Sequence, residues 1–152
     1  MRSRTANWFV CRVSYEKTME DGLQKKVKEL YVVDAMSFTE AESRIIEEMQ
    51  SYLTSGFDIQ EIDRAPYKEI FFSDMESADK WYKSKLQFIT IDEKTDKEKK
   101  TAVNYLVQGS SLENARKNID EVMGGTTIDY VIAAVAETSI MDVFEYTKDD
   151  KD

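Results

Sequence analysis

The sequence predicts an α+β fold made of two β-β-α-β-β modules in tandem, packed about a pseudo-twofold axis. Three observations predict it. Residues 8–15 (WFVCRVSY) return as residues 81–88 (WYKSKLQF). A Ser-led helical stripe follows each copy, with Ala41, Ile45 and Met49 in the first half and Ala115, Ile119 and Met123 in the second. A short apolar strand then ends each half, Glu69-Ile70-Phe71 and Asp142-Val143-Phe144. The offset is 73 at both ends and 74 between, which one inserted loop residue and one deletion explain.

The first module spans 1–72. Residues 1–7 are polar and read as a loose start. In 8–15, Phe9, Cys11, Val13 and Tyr15 share one face and Trp8, Val10, Arg12 and Ser14 the other. That period of two marks a strand with one face on a core. Residues 16–26 are charged, contain Gly22 and read as a long hairpin loop; 27–33 is the return strand. SFTE at 37–40 is a capping box, the Ser37 hydroxyl taking the amide of Glu40 while that carboxylate reaches back. Phe38, Ala41, Ile45, Met49 and Tyr52 recur at steps of three and four, giving one buried helical stripe. Ser55-Gly56 stops the helix and 57–62 alternates as a strand. Pro66 turns the chain, having no amide for a ladder, and 67–72 closes the module.

Residues 73–80 (SDMESADK) form a polar joint, expected to make one or two helical turns. The second module spans 81–146, with a charged loop at 92–100 and Gly124-Gly125 after its helix. Residues 147–152 (TKDDKD) are a short acidic tail. Each module has one helix and about four short strands, too little to bury a sheet face alone, so one fused core is expected.

Composition removes several function classes. The chain has no histidine and one cysteine, Cys11, which excludes Ser-His and Cys-His nucleophiles, His-bearing zinc sites and an internal disulfide. Cys11 reads as a small buried residue. No apolar run approaches the roughly 20 residues that span a bilayer, and the N-terminus lacks a signal-peptide core, so a cytoplasmic protein is expected. A net charge of −9 argues against broad duplex binding, while leaving room for a local basic groove. The five glycines form no phosphate-cradling motif.

The runs YVVDAMSFTEAESRIIEEM, RAPYKEIFFSD, ADKWYKSKLQFITIDEKT and IDYVIAAVAETSIMDVFEY resemble a domain-of-unknown-function family, number forty-four ninety-four, over nearly the whole chain. That family is widespread in gut-type bacteria and occurs in their phages. The resemblance implies no catalytic residues; occurrence in cells and phages suits a role with nucleic acid or nucleotides.

Three sets of residues are candidate sites. Opposite the core-facing residues, the first strand of each half carries Trp8 and Arg12, then Trp81, Lys83, Lys85 and Gln87. Exposed rings beside cations suit single-stranded nucleic acid, with bases stacked on the rings and phosphates on Lys or Arg. The competing reading packs both tryptophans at the joint or between the halves, with the basic residues at the edge. Lys17, Lys25, Lys26 and Lys28, and Lys94, Lys97, Lys99 and Lys100, form a second set on the hairpins, interleaved with acids like ordinary solvated surface. The acids Glu69 and Asp142 are the third; meeting at the twofold axis they could share magnesium, although outward carboxylates on strands are commoner.

The expected function is therefore a non-enzymatic binding protein, without cofactor or metal, with single-stranded nucleic acid the leading ligand. The alternatives are a protein-interaction or homo-oligomer assembly module, and small-nucleotide binding in the cleft between the halves.

Overall fold

The alternation of the first strand and its return sets the architecture. In the computed structural model, which describes residues 1–146, the elements are β1 (Arg2–Arg4), β2 (Trp8–Thr18), β3 (Gln24–Asp34), α1 (Phe38–Tyr52), β4 (Phe57–Arg64), β5 (Glu69–Phe72), β6 (Lys80–Ile91), β7 (Glu98–Gly109), α2 (Leu112–Met123), β8 (Asp129–Glu137) and β9 (Ile140–Phe144). The fold is α+β, with these strands in two sheets. The acidic tail at 147–152 lies outside the described residues.

Two compact units result: Ala6–Ala65 with the segment from Ser139 on, here the α1 unit, and Met1–Thr5 with Pro66–Thr138, the α2 unit. In the α1 unit the sheet order is β4-β2-β3-β9. Phe9, Cys11 and Val13 of β2 are fully buried and cluster with Val33, Ile45, Met49 and Phe144, so the strand face and helix stripe close on each other as alternation and helical period demand. In the α2 unit the order is β1-β5-β7-β6-β8, and Tyr82, Leu86, Tyr105, Val107, Ile119 and Phe71 make the matching core.

The closing strands change places. β5, from the first half, pairs parallel with β7, and β9, from the second, pairs parallel with β3. Linker length explains it. β4 is antiparallel to β2, as β3 is, so a closing strand parallel to β3 would also run parallel to β4. A parallel connection needs a crossover of about a dozen residues. Only residues 65–68 join β4 to β5, and only 138–139 join β8 to β9. Neither half can close its own sheet, and the boundary between units falls at Pro66 instead of Phe72.

Three local expectations are corrected. Residues 2–4, expected loose, form β1 on β5, with the Arg2 guanidinium 4.2 Å from the Phe72 ring centre and the Met1 amino group 3.6 Å from Asp74 and 3.5 Å from Glu121. The joint has no helix: Ser73 N–H donates to Gln108 Oε1 (2.8 Å), Gln108 Nε2 donates to Ala78 O (2.9 Å), and Ser73 Oγ accepts from Met75 N (3.2 Å). Those bonds compete with the helical ones. The hairpins are longer than read, so Lys17, Lys25, Lys26, Lys28, Lys99 and Lys100 lie on strands, leaving turns at 19–23, where Gly22 has φ 84°, and 92–97.

The units share details that packing alone does not require. A β-bulge falls between Arg12 and Val13 where β2 meets β4, and between Lys85 and Leu86 where β6 meets β8. Ser37 caps α1 through the Glu40 amide (3.1 Å) and Ser111 caps α2 through the Asn114 amide (3.0 Å). Reciprocally, Met36 N donates to Glu40 Oε1 (2.6 Å) and Ser110 N to Asn114 Oδ1 (3.0 Å). Beside each cap the closing strand is pinned by one polar network in two charge states. In the α1 unit Tyr146 N donates to Asp34 Oδ1 (2.7 Å), and Arg44 donates to Asp34 O (2.5 Å) and lies 3.3 Å from Glu40. In the α2 unit Ser73 N donates to Gln108, and Asn118 donates to Gln108 O (2.9 Å) and Asn114 Oδ1 (3.2 Å).

Candidate functional site

Strand alternation puts Trp8 and Trp81 on the sheet face away from each helix, as read, but that face is covered where they sit. Each is 3% exposed. The Trp81 ring meets Phe72 edge-on at 5.7 Å, and its carbonyl accepts from Thr138 N and Oγ1 (both 2.9 Å). The Trp8 carbonyl accepts from Ala65 N (2.8 Å), and Val32, on the same face of β3, is fully buried. Neither ring offers a stacking platform. Of the exposed and packed readings, the rings follow the packed one, as anchors at strand starts.

The basic candidates are dispersed. Arg12, in the α1 unit, donates to Glu61 Oε1 at 2.8 Å, so a carboxylate already meets it. Lys83 and Lys85, in the α2 unit, are exposed on β6. Lys26 lies across from Glu16, and Lys100 across from Ile89. Among the described residues no group of three or more acidic or thiol side chains is disposed to hold a metal ion, and no helix is long and apolar enough to cross a membrane.

The acids Glu69 and Asp142 fall in different units, each beside a tyrosine. The parallel registers set Asp142 against Tyr31 and Glu69 against Tyr105. Each pair lines a cleft under the C-terminal end of its unit's helix. The α1-unit cleft, about 390 Å³, is walled by Tyr15, Tyr31, Met49, Tyr52 and Phe144, with Lys17, Glu29 and Asp142 as its charges. The α2-unit cleft, about 450 Å³, is walled by Phe88, Tyr105, Val122, Met123 and Ile128, with Lys68 and Glu69.

The α1-unit cleft is electrostatically crowded. The Tyr15 and Tyr31 hydroxyls both donate to Glu29 Oε1, at 3.0 and 2.8 Å. Burial and then Glu29 push both phenols up, so they stay protonated donors. Asp142 presents exposed surface, yet partial burial raises its carboxyl, opposed by the Val143 amide and helped by Glu48. Tyr146 donates to Glu48 beside it. Phe144 stacks between Tyr31 (5.7 Å, 15°) and Tyr52 (6.2 Å, 28°). In the α2 unit Tyr105 tilts on Phe71 at 5.1 Å and meets Phe88 edge-on at 6.4 Å; burial and then Glu69 raise its phenol.

The family model of the domain of unknown function DUF4494 matches residues 7–146. The chain belongs to that family. Searches of curated proteins and of solved structures return no match. In this DUF4494 chain the tyrosines and Glu29 were absent from the sequence-derived candidates. The signal was present: Tyr31 and Tyr105 sit at the 74-residue offset, and Glu69 and Asp142 at 73. Joining them needs the strand exchange.

Proposed function

We propose that this chain is a non-enzymatic binding protein, arisen by tandem duplication of one module, that holds small ligands in the two equivalent clefts. The observation that carries the reading is the repeated register, Tyr31 against Asp142 and Tyr105 against Glu69, each pair lining a cleft under a helix end. Repeated bulges, caps and strand-pinning networks support the duplication. Concave, mostly apolar walls with a few converging polar groups are what small-molecule sites use.

Methionine methyl NMR tests it, since Met49 and Met141 line one cleft and Met123 the other. With a panel of nucleosides, nucleotides, aromatic alcohols and amines, at least one compound shifts those methyls and leaves Met19, Met36 and Met75 in place. A panel that moves none of the three ends the reading. Labelled oligonucleotides belong in the same panel, for the single-stranded nucleic acid reading. With Trp8 and Trp81 buried, that reading rests on Lys83 and Lys85, and Lys83→Glu with Lys85→Glu abolishes any such binding.

A second reading, an assembly module, has one specific observation. β8 is a sheet edge, and its residues 130–136 (YVIAAVA) carry no charge, whereas β4, the outer strand at the corresponding place in the α1 unit, carries Asp58, Glu61, Asp63 and Arg64. Unguarded edges accept a further strand. Light scattering across a concentration series discriminates, because a larger species that Val131→Lys abolishes favours assembly.

A further inference from the structure

The two clefts differ in charge, and the difference points to a ligand class for one of them. In the α1 unit Glu29 and Asp142 line the cleft against one lining cation, Lys17. Lys17 makes no ion pair with either lining carboxylate among the described residues. The Phe144, Tyr31 and Tyr52 rings stand within the same lining. In the α2 unit Val103 stands where Glu29 does, Phe88 where Tyr15 does and Thr126 where Tyr52 does, which leaves Glu69 with Lys68 beside it.

Resting on the two-cleft reading, we infer that the α1-unit cleft binds an organic cation, an alkylammonium or guanidinium group, and that the α2-unit cleft does not. Ring faces attract such cations through their quadrupole, and carboxylates add charge-assisted hydrogen bonds. An anionic ligand such as a nucleotide phosphate is repelled by the same carboxylates. Glu29 is held in place by two phenol donors, so its carboxyl group is fixed at the wall.

The test is a titration with tetramethylammonium and methylguanidinium beside the neutral isosteres tert-butanol and methylurea, read at the methionine methyls. Ionic strength of about 0.15 M screens diffuse attraction to the acidic surface. The expected result is that the cations shift Met49 and Met141 with at least tenfold tighter binding than the isosteres, and leave Met123 unmoved. Glu29→Gln with Asp142→Asn removes that preference. Tyr52 is 61% exposed, so Tyr52→Ala leaves the fold standing, and it weakens cation binding several-fold. Equal binding of isostere and cation, or a preference surviving the double substitution, overturns the inference. Neutral compounds filling both clefts would leave the two-cleft reading intact while removing this one. No shift with any probe, the broader panel included, removes both.

Discussion

Cys11 and Ser84 occupy the same place in the two units, and their chemistry makes opposite demands on it. Both are fully buried, on the helix-facing side of β2 and β6. Burial pushes the Cys11 thiol up to about 12, so the thiolate is scarce at neutral pH and the sulfur behaves as a small apolar group. Ser84 Oγ has no hydrogen-bond partner, and an unsatisfied buried hydroxyl costs about 1–3 kcal/mol. Ser84→Cys is therefore expected to raise the urea midpoint by the equivalent of about 1 kcal/mol, and Cys11→Ser to lower it by a similar amount. A Ser84→Cys variant less stable than the parent would show that packing volume dominates at that position.

The same scale decides the strand-pinning networks. Asp34 is fully buried, with the Arg44 guanidinium 3.8 Å from its carboxylate. Arg44→Ala removes both this ion pair and the hydrogen bond to Asp34 O, and is expected to cost about 3 kcal/mol. Asn118→Ala, in the neutral counterpart, removes amide hydrogen bonds and is expected to cost about 1–2 kcal/mol. Chemical denaturation of the two variants compares them. Asp142 has the opposite sign from a stabilising carboxylate. Its native pKa lies above the ordinary value, so the folded state holds the proton more tightly than the unfolded one. Stability therefore falls as pH rises from about 4 through that raised pKa. Asp142→Asn removes this dependence, and the difference in urea midpoint between variant and parent should grow across that window and then level off.

At the scale of elements, strands and helices were legible because each carries its own period. The Ser37 cap, the Ala41-Ile45-Met49 stripe and the Phe9-Cys11-Val13 face all sit where alternation and helical spacing put them. Partnership is a different kind of information. Tyr31 and Asp142 become neighbours only through the exchange of β9, which periodicity does not encode, although the short linkers before β5 and β9 do. Whether Trp8 stacks on a ligand or packs stays open in the sequence for a related reason: alternation tells which face a ring takes and is silent on what covers that face. Gln108 carries no signal of its own in the sequence, and its hold on the joint follows only from where β7 places it.

At the scale of the whole molecule, the pairing of β5 with β7 and of β9 with β3 makes each half incomplete in a way the other half, or a second copy of itself, can repair. The slot beside β3 takes Asp142-Val143-Phe144 against Tyr31-Val32-Val33, and the slot beside β7 takes Glu69-Ile70-Phe71 against Tyr105-Leu106-Val107. The two closing strands carry the same acid-aliphatic-Phe pattern, so β5 from another copy of the first half fits the slot that β9 fills. A fragment of residues 1–79 lacks β9 and keeps β5. Its sheet ends at an open β3 edge over the Phe9, Val13 and Ile45 core, and an unpaired edge beside a core recruits a strand. Exchanging identical elements makes symmetric dimers at low cost. The fragment is expected to run as a dimer in light scattering, to lose its circular dichroism on dilution, and to be held monomeric and unfolded by Phe71→Asp. A folded monomer of residues 1–79 would mean that the first half closes its own sheet, and the linker argument and the duplication reading would both fail.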